Sequence, residues 1–217
     1  MKQLVIFDLD GTLLNTIADL GNACNHALKS MGFSPHPLSA YNYMVGNGVR
    51  KLMERAEPDA TSETIDELLR HFREYYDEHC TDLTQPYPGI PELLRTLRDQ
   101  GIRVAVTSNK YQKAVDKIIA HYFGDIEFAA ILGEVPTRPK KPDPSILFEA
   151  LSICPTPKKD VLYVGDSAVD METARRACVE SAGVTWGFRP VSELRTAFAD
   201  HIVSDPAEIL TLAEREF

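Results

Sequence analysis

Two aspartates separated by one residue follow the first apolar run of the chain. The run from Leu4 to Phe7 predicts a buried strand, and Asp8 and Asp10 stand directly after it. Alternate residues of an extended chain point to the same side, so the two carboxylates can share one side of the turn. Carboxylates this close repel each other unless a cation lies between them, and ligands that are all oxygen suit Mg²⁺. One of the two can also act as a covalent nucleophile toward a phosphoryl group.

A serine and an asparagine end a later strand-like run. Ser108 and Asn109 come shortly after the sequence IRVAV, where a hydroxyl and free backbone N–H groups can bind a phosphate oxygen. A serine at the end of a strand, taken alone, more often has no part in chemistry. The prediction for Ser108 therefore depends on the residues that accompany it.

A lysine lies in RPKKPDP, a segment that three prolines stiffen. We therefore expect the ammonium group of Lys141 to hold a fixed position, where it neutralises a phosphoryl group and crowded carboxylates. Lys140 precedes it and competes for the same role, although a solvated position at the surface is the ordinary one for a lysine.

A second pair of acids follows the strand-like run VLYVG. Asp166 and Asp170 are four residues apart at the start of a predicted helix, so they share one face near the positive end of the helix dipole. Asp166 is predicted to be a metal ligand, and Asp170 a supporting acid or a ligand through water. The alternative for Asp170 is an acid in the first helical turn that only favours the dipole.

These four runs, in this order, resemble the motifs of the haloacid dehalogenase (HAD) superfamily of hydrolases, with the phosphoglycolate phosphatases as the nearest group. The runs are DLDGT, VTSNK, KKPDP and VGDSAVD. The resemblance implies an α/β fold, the HAD fold, in which a Rossmann-like parallel sheet carries an inserted all-helical cap.

The resemblance also implies a role for each residue. Asp8 is the nucleophile, and Asp10 is the general acid for the leaving alcohol and later the base for the attacking water. Lys141, directly before a proline, is the catalytic lysine. The Asp8 and Asp166 side chains and the backbone carbonyl of Asp10 would hold Mg²⁺, with Asp170 beside them.

A glycine-rich segment inside the predicted cap, VGNGVRKLMERA, resembles the substrate-specificity loop of phosphoglycolate phosphatases. Gly46, Asn47 and Gly48 would let the backbone approach a ligand closely, and the helix that follows presents free N–H groups. Arg50 would then pair with a substrate carboxylate. The alternative places Arg50 on a solvated helix face together with two neighbouring basic residues.

The remaining sequence predicts the elements that position these residues. The strand-like runs IRVAVT, VLYVG and IVS alternate with amphipathic helices, which predicts a parallel sheet with right-handed crossovers and a site at the carboxyl ends of its strands. We expect a catalytic core at residues 1–14 and 85–217 and a helical cap at residues 15–84. Cap helices are predicted at Thr16 to Met31, Val49 to Glu57 and Ser62 to Cys80.

Composition limits the partners. The 217 residues carry a net charge of −9 without a long basic run, which disfavours nucleic acid and anionic membranes and leaves a small phosphorylated metabolite as the partner. The four cysteines form no C-x-x-C pair, so we expect buried, reduced thiols rather than a zinc site or disulfides. Since neither a signal peptide nor a membrane span is predicted, we expect a cytoplasmic protein. We also expect a monomer or weak homodimer.

The function predicted from the sequence is Mg²⁺-dependent hydrolysis of a small phosphomonoester through an aspartyl-phosphate, with phosphoglycolate as the first candidate substrate. A phosphomutase similar to β-phosphoglucomutase, or another sugar or nucleotide phosphatase, would share the same acids. A HAD-fold binding protein without activity is disfavoured, because a pure binder gains nothing from a nucleophile paired with an acid.

Overall fold

A parallel β-sheet with helices on both faces forms the centre of the molecule. The computed structural model describes residues 1–215. The strands are β1 (Leu4–Phe7), β2 (Leu14–Asn15), β3 (Gln85–Pro86), β4 (Arg103–Tyr111), β5 (Ala130–Glu134), β6 (Val161–Gly165), β7 (Glu180–Val184) and β8 (His201–Val203). Six of them form one sheet in the order β5-β4-β1-β6-β7-β8, and every neighbouring pair is parallel. The predicted α/β sheet is confirmed.

Ten α-helices accompany the strands within the described part of the chain. They are α1 (Ile17–Ser30), α2 (Tyr41–Met44), α3 (Val49–Ala56), α4 (Ser62–His79), α5 (Ile90–Asp99), α6 (Gln112–Tyr122), α7 (Ser145–Ile153), α8 (Ala168–Ala177), α9 (Val191–Thr196) and α10 (Pro206–Glu214). The first four lie between β2 and β3 and form the predicted helical insertion, which is confirmed.

The first strand shows how the sequence creates two helical layers. All four residues of β1 are fully buried, as expected for a central strand of a parallel sheet. Val5 and Phe7 belong to the larger apolar cluster, which includes the insertion. Leu4 and Ile6 belong to a second cluster with α7 and α8. Alternation along one strand therefore fixes which side of the sheet each helix covers.

The register of the central strands brings the functional motifs to one edge. Phe7 of β1 lies between Val106 of β4 and Val164 of β6. Since these strands run in the same direction, the residues that come after each of them meet at the carboxyl edge. Asp8 and Asp166 therefore become neighbours although 158 positions separate them.

Two strands of the sheet have no counterpart among the predicted elements. One is the edge strand β5, and the other is β7, whose sequence ESAGV is made of small residues. Small and polar residues have weak strand propensity. In β7 a side chain at Gly183 would stand 3.0 Å from Leu194, so close packing against α9 explains that composition.

The insertion joins the sheet through two short strands that pair with each other. Leu14 of β2 lies opposite Pro86 of β3 in an antiparallel ladder. The buried carboxylate of Asp19 on α1 accepts hydrogen bonds from the Leu83 and Thr84 backbone N–H groups and from the Thr84 hydroxyl, at 2.8 to 3.1 Å. These contacts fasten the returning chain to the outgoing one, and we propose that they mark the limits of a cap at residues 15–84.

The structure corrects two smaller expectations. Helix α4 is capped by Thr61, whose hydroxyl accepts a hydrogen bond from the backbone N–H of Thr64, and not by Ser62. Three cysteines are buried, but Cys178 is exposed. It ends α8 with a φ of 57°, a left-handed conformation that takes the residue out of the helix and toward the surface.

Over residues 1–215, the structure has no helix that is both long and apolar enough to span a bilayer.

Candidate active site

The ammonium group of Lys141 lies at the centre of a buried charge cluster. Its Nζ donates hydrogen bonds to Asp8 Oδ1 at 2.7 Å and to Asp170 Oδ1 at 2.8 Å. The Tyr163 hydroxyl at 3.1 Å and the carbonyl oxygen of Thr107 at 3.2 Å complete its surroundings. Only 2% of the lysine side chain is exposed. Its charge is therefore committed to these two carboxylates.

Asn109 holds the segment that carries this lysine. Its side-chain oxygen accepts a hydrogen bond from the Lys141 backbone N–H at 2.9 Å, and its side-chain nitrogen donates to the Lys141 carbonyl oxygen at 3.1 Å. The same nitrogen donates to the carbonyl oxygen of Gly46 in the insertion at 3.0 Å. Lys140, the competing lysine, instead forms an ion pair with Glu134. The amide of Asn109 thus positions the lysine and connects it to the cap.

The two later acids differ in how many hydrogen bonds they already accept. Asp170 Oδ1 accepts from Lys141 and Tyr163, and its Oδ2 accepts from the backbone N–H and the hydroxyl of Ser167. A carboxylate has about four accepting positions, so those of Asp170 are filled. Asp166 lies before the helix, and its Oδ2 accepts from the Phe188 backbone N–H at 2.7 Å. Its other oxygen is available for a ligand.

The three acids form a cluster whose negative charge favours a bound cation. Oxygen atoms of Asp8, Asp166 and Asp170 lie within 4.8 Å of one another, and Lys141 supplies one positive charge against three negative ones. Burial raises the pKa of Asp8 to about 7. The positive charge of Lys141 opposes this shift, and the negative charge of Asp170 adds to it. Burial and the neighbouring acids also raise the pKa of Asp166 well above its usual value. A hard divalent cation would let these groups ionise together.

The glycine of the first motif makes room for this cluster. Gly11 has a φ of 88°, and a Cβ atom there would lie 2.3 Å from Asp166 Oδ2. Any side chain would both strain the backbone and displace the carboxylate. The residue type at position 11 is therefore dictated by an acid far away in the sequence.

Asp10 has a separate cationic partner. Lys110 Nζ donates to both carboxylate oxygens of Asp10, at 2.8 and 2.9 Å, and the Thr16 hydroxyl donates to Oδ1 at 2.7 Å. The side chain of Lys110 is 2% exposed. Sequence analysis missed this lysine, although it stands two residues after Ser108 and so points to the same side of an extended segment.

One cavity of about 50 Å³, partly open to solvent, connects these groups. It is lined by most of the predicted site residues, namely Asp8, Asp10, Gly46, Gly48, Ser108, Asn109, Lys141, Asp166 and Asp170. Ser108 is buried and its oxygen accepts a hydrogen bond from the Lys110 backbone N–H, which leaves its own proton free for a ligand. The insertion closes the space with Leu20, Val49, Leu52 and Tyr76.

Two predicted residues do not reach this space. Asn47 accepts a hydrogen bond from Arg55. Arg50 forms an ion pair with Asp66 and is 43% exposed. Val49 faces the buried side of α3, and successive helical residues turn by about 100°. Arg50 consequently points away, which corrects the expectation that it meets the substrate.

Comparison with known proteins agrees with this geometry. The model of the haloacid dehalogenase-like hydrolase family matches residues 5–184. A phosphoglycolate phosphatase from Pseudomonas putida is 33% identical over 99% of this chain and 84% of its own length. One from Cereibacter sphaeroides is 38% identical over 88% of this chain and 89% of its own. The crystal structure of a predicted phosphoglycolate phosphatase from Haemophilus somnus superposes with a TM-score of 0.92 at 30% identity, covering 98% of both chains.

The fold and the site together define an α/β hydrolase with a carboxylate and lysine centre beneath a helical insertion. The chain belongs to the haloacid dehalogenase-like hydrolase family. The resemblance that the four motifs suggested is confirmed, and the named relatives at near full length are phosphoglycolate phosphatases.

Proposed function

We propose that this protein is a Mg²⁺-dependent phosphatase that hydrolyses a small phosphomonoester, phosphoglycolate in the first place, through an aspartyl-phosphate on Asp8. One observation carries the proposal. Asp8 has one oxygen fixed by Lys141 and the other without a protein partner among the described residues, in a cavity that Asp10 also lines. Phosphoglycolate is the first candidate substrate because the similar proteins are phosphoglycolate phosphatases.

The residues divide the reaction into two displacements. The free oxygen of Asp8 attacks phosphorus, and the bond from phosphorus to the ester oxygen breaks. Asp10 gives its proton to that departing oxygen. In the second displacement Asp10 takes a proton from water, whose oxygen attacks the same phosphorus and releases phosphate and free Asp8.

Other groups hold the charge in place. Lys141 orients Asp8, and the free proton of Ser108 is available for a phosphoryl oxygen. The Asp8 and Asp166 side chains and the Asp10 carbonyl would hold the Mg²⁺, which supplies positive charge for the phosphoryl oxygens and the acids. Asp170 holds Lys141 through a hydrogen bond. It is not assigned as a metal ligand, because its accepting positions are already filled.

The lining of the cavity favours a short substrate over a sugar. Leu20, Val49 and Leu52, which the insertion brings to the cavity, are apolar. They offer no hydrogen bond to the hydroxyl groups of a phosphorylated hexose.

The proposal is tested by combining metal removal with removal of the nucleophile. Wild-type protein should hydrolyse p-nitrophenyl phosphate and phosphoglycolate with Mg²⁺ and lose both activities in excess chelator. Asp8→Asn should lower kcat by roughly 10⁴-fold or more, because an amide is not a competent nucleophile. Asp59→Asn, at an exposed position, is the matched control and should keep full activity. Turnover by Asp8→Asn at the wild-type rate would exclude the covalent route.

A further inference from the structure

The position of Asp10 shows where the organic part of the substrate must lie. Since Asp8 attacks phosphorus and Asp10 protonates the departing oxygen, the carbon attached to that oxygen extends past Asp10. Lys110 is bonded to Asp10, and its Nζ lies 4.9 Å from the centre of the Tyr76 ring. The first group beyond the ester oxygen therefore meets a lysine of the core and a tyrosine of the cap.

The hydroxyl group of Tyr76 lacks a partner. Tyr76 is fully buried on α4 and lines the cavity. Within residues 1–215 its hydroxyl oxygen has no hydrogen-bond partner, although buried polar groups nearly always have one. The Tyr76 ring stacks on that of Phe72, with 5.2 Å between the ring centres, and makes an edge contact with that of Tyr111, with 6.5 Å between the ring centres. The hydroxyl is enclosed without a partner on a residue that lines the cavity, which is the expected state of a donor that a bound ligand satisfies.

Lys110 places a positive charge close to the ring that carries this donor. An ammonium group has three donor positions, and Asp10 occupies two of those of Lys110. The neighbouring cap residues Leu20 and Leu52 are apolar, so they offer nothing to a hydroxylated sugar. Burial raises the pKa of the Tyr76 hydroxyl well above its usual value, and the group therefore stays protonated as a donor. A donor beside a cation matches an anionic group better than a neutral one.

We propose that Tyr76 and Lys110 form the subsite for a carboxylate carried on the carbon next to the ester oxygen, so that the protein selects short phosphorylated 2-hydroxy acids. This inference rests on the proposed function and names the residues that give it specificity. The carboxylate would then be bound by groups that border Asp10, and not by Arg50, which lies outside the cavity.

The test compares two substrates that differ only in that group. Phosphoglycolate carries a carboxylate where ethyl phosphate carries a methyl group, and wild-type protein should favour phosphoglycolate in kcat/KM. Tyr76→Phe should lower kcat/KM for phosphoglycolate by about 10-fold or more, the scale of a charge-assisted hydrogen bond. It should change kcat/KM for ethyl phosphate by no more than about twofold, since that substrate makes no such bond. Tyr75→Phe, a partly buried neighbour on the same helix, should change neither.

Thermal unfolding separates a binding role from a structural one. Because the hydroxyl of Tyr76 has no partner to lose, Tyr76→Phe should leave Tm unchanged or raise it. A lower Tm with equal losses on both substrates would show a structural tyrosine and overturn the subsite. Lys110→Met should lower activity on both substrates, with the larger loss on phosphoglycolate, and an unchanged ratio would also overturn it.

Failure of the proposed function gives a different result. A wild-type protein that hydrolyses p-nitrophenyl phosphate but treats phosphoglycolate and ethyl phosphate alike remains a phosphatase without this subsite. If wild-type protein hydrolyses none of the three, the proposed function fails. Calorimetric titration of the Asp8→Asn protein with phosphoglycolate, with and without Tyr76→Phe, then decides the subsite: unequal affinities support it and equal affinities overturn it.

Discussion

Two buried lysines face the same cavity, and each neutralises acids of the site in a different structural setting. Lys141 contacts Asp8 directly after β1, Asp170 on α8 and Tyr163 on β6, all within the core. Lys110 contacts Asp10 on the core side and lies over the ring of Tyr76, which the cap contributes.

The different surroundings of the two lysines suggest different tasks, phosphoryl transfer for one and the choice of substrate for the other. The partners of Lys141 Nζ all belong to the core, and the link of its segment to the insertion runs through the amide of Asn109 and the Gly46 carbonyl oxygen. The surroundings of Lys110 are complete only when α4 covers the cavity. We infer that the core half determines whether phosphoryl transfer takes place and the cap half determines which alcohol is accepted.

The largest effect is expected when the lysine of the core half is removed. Lys141→Met should lower kcat/KM roughly 10⁴-fold on every substrate, because Asp8 loses both its orientation and its counter-charge. It should also lower the free energy of unfolding by about 3–5 kcal/mol, since two buried carboxylates lose their partner. Steady-state kinetics and urea unfolding measure the two effects.

Lys140→Met is the matched control for that experiment. Lys140 is adjacent in sequence and paired with Glu134 near the surface, so its loss should change the free energy of unfolding by no more than about 1 kcal/mol. Similar effects of the two substitutions would contradict the central position assigned to Lys141.

Removal of the acid between the two halves should have a smaller effect that depends on the leaving group. Asp10→Asn should lower kcat for phosphoglycolate roughly 10³-fold, since the departing alkoxide receives no proton. For p-nitrophenyl phosphate, whose leaving group needs little protonation, formation of the aspartyl-phosphate should slow less. Burst kinetics with the aryl substrate measure that step, and equal slowing of it for both substrates would show that Asp10 acts only in placing groups.

The smallest effect is expected where the cap rests on the core outside the cavity. Asp77 of α4 accepts a hydrogen bond from the Tyr111 hydroxyl at 2.7 Å and pairs with the exposed Lys113. Asp77→Asn keeps an oxygen for Tyr111 and loses only a solvent-screened charge pair, so kcat/KM should fall by no more than about threefold.

Asp66→Asn is the control for this last prediction, because Asp66 pairs within the cap with Arg50. It should leave kinetics with phosphoglycolate unchanged. A loss above tenfold in Asp77→Asn alone would mean that this surface contact, and not the cavity, decides how the cap is placed.

The core half was largely predictable from the sequence. Asp8, Lys141 and Asp166 lie in short motifs next to apolar strands, and parallel strands bring their carboxyl ends to a common edge whatever the rest of the chain does. Local order was therefore enough to predict that these residues lie together. The helical insertion was also predictable, because the apolar periodicity of α1, α3 and α4 is strong.

The cap half was not predictable in the same way. The sequence marked Arg50 because an arginine after two glycines suits an anion, but the rotation of α3 about its axis turns Arg50 outward. Tyr76 looked like one more apolar residue of a long amphipathic helix. Only the folded structure shows that its hydroxyl is enclosed without a partner among the described residues and that its ring lies next to Lys110.

The sequence by itself determined the family, the parallel sheet and the acids and lysine that meet at the carboxyl edge of that sheet, because each is encoded by neighbouring residues and by strand order. Only the tertiary structure decided which cap residues face the cavity, that Lys110 pairs with Asp10, and that Asp170 has its accepting positions filled. The physical reason is that these contacts join segments far apart in the chain. Their geometry depends on how one helical layer is rotated and placed over the sheet, and local sequence does not encode that placement.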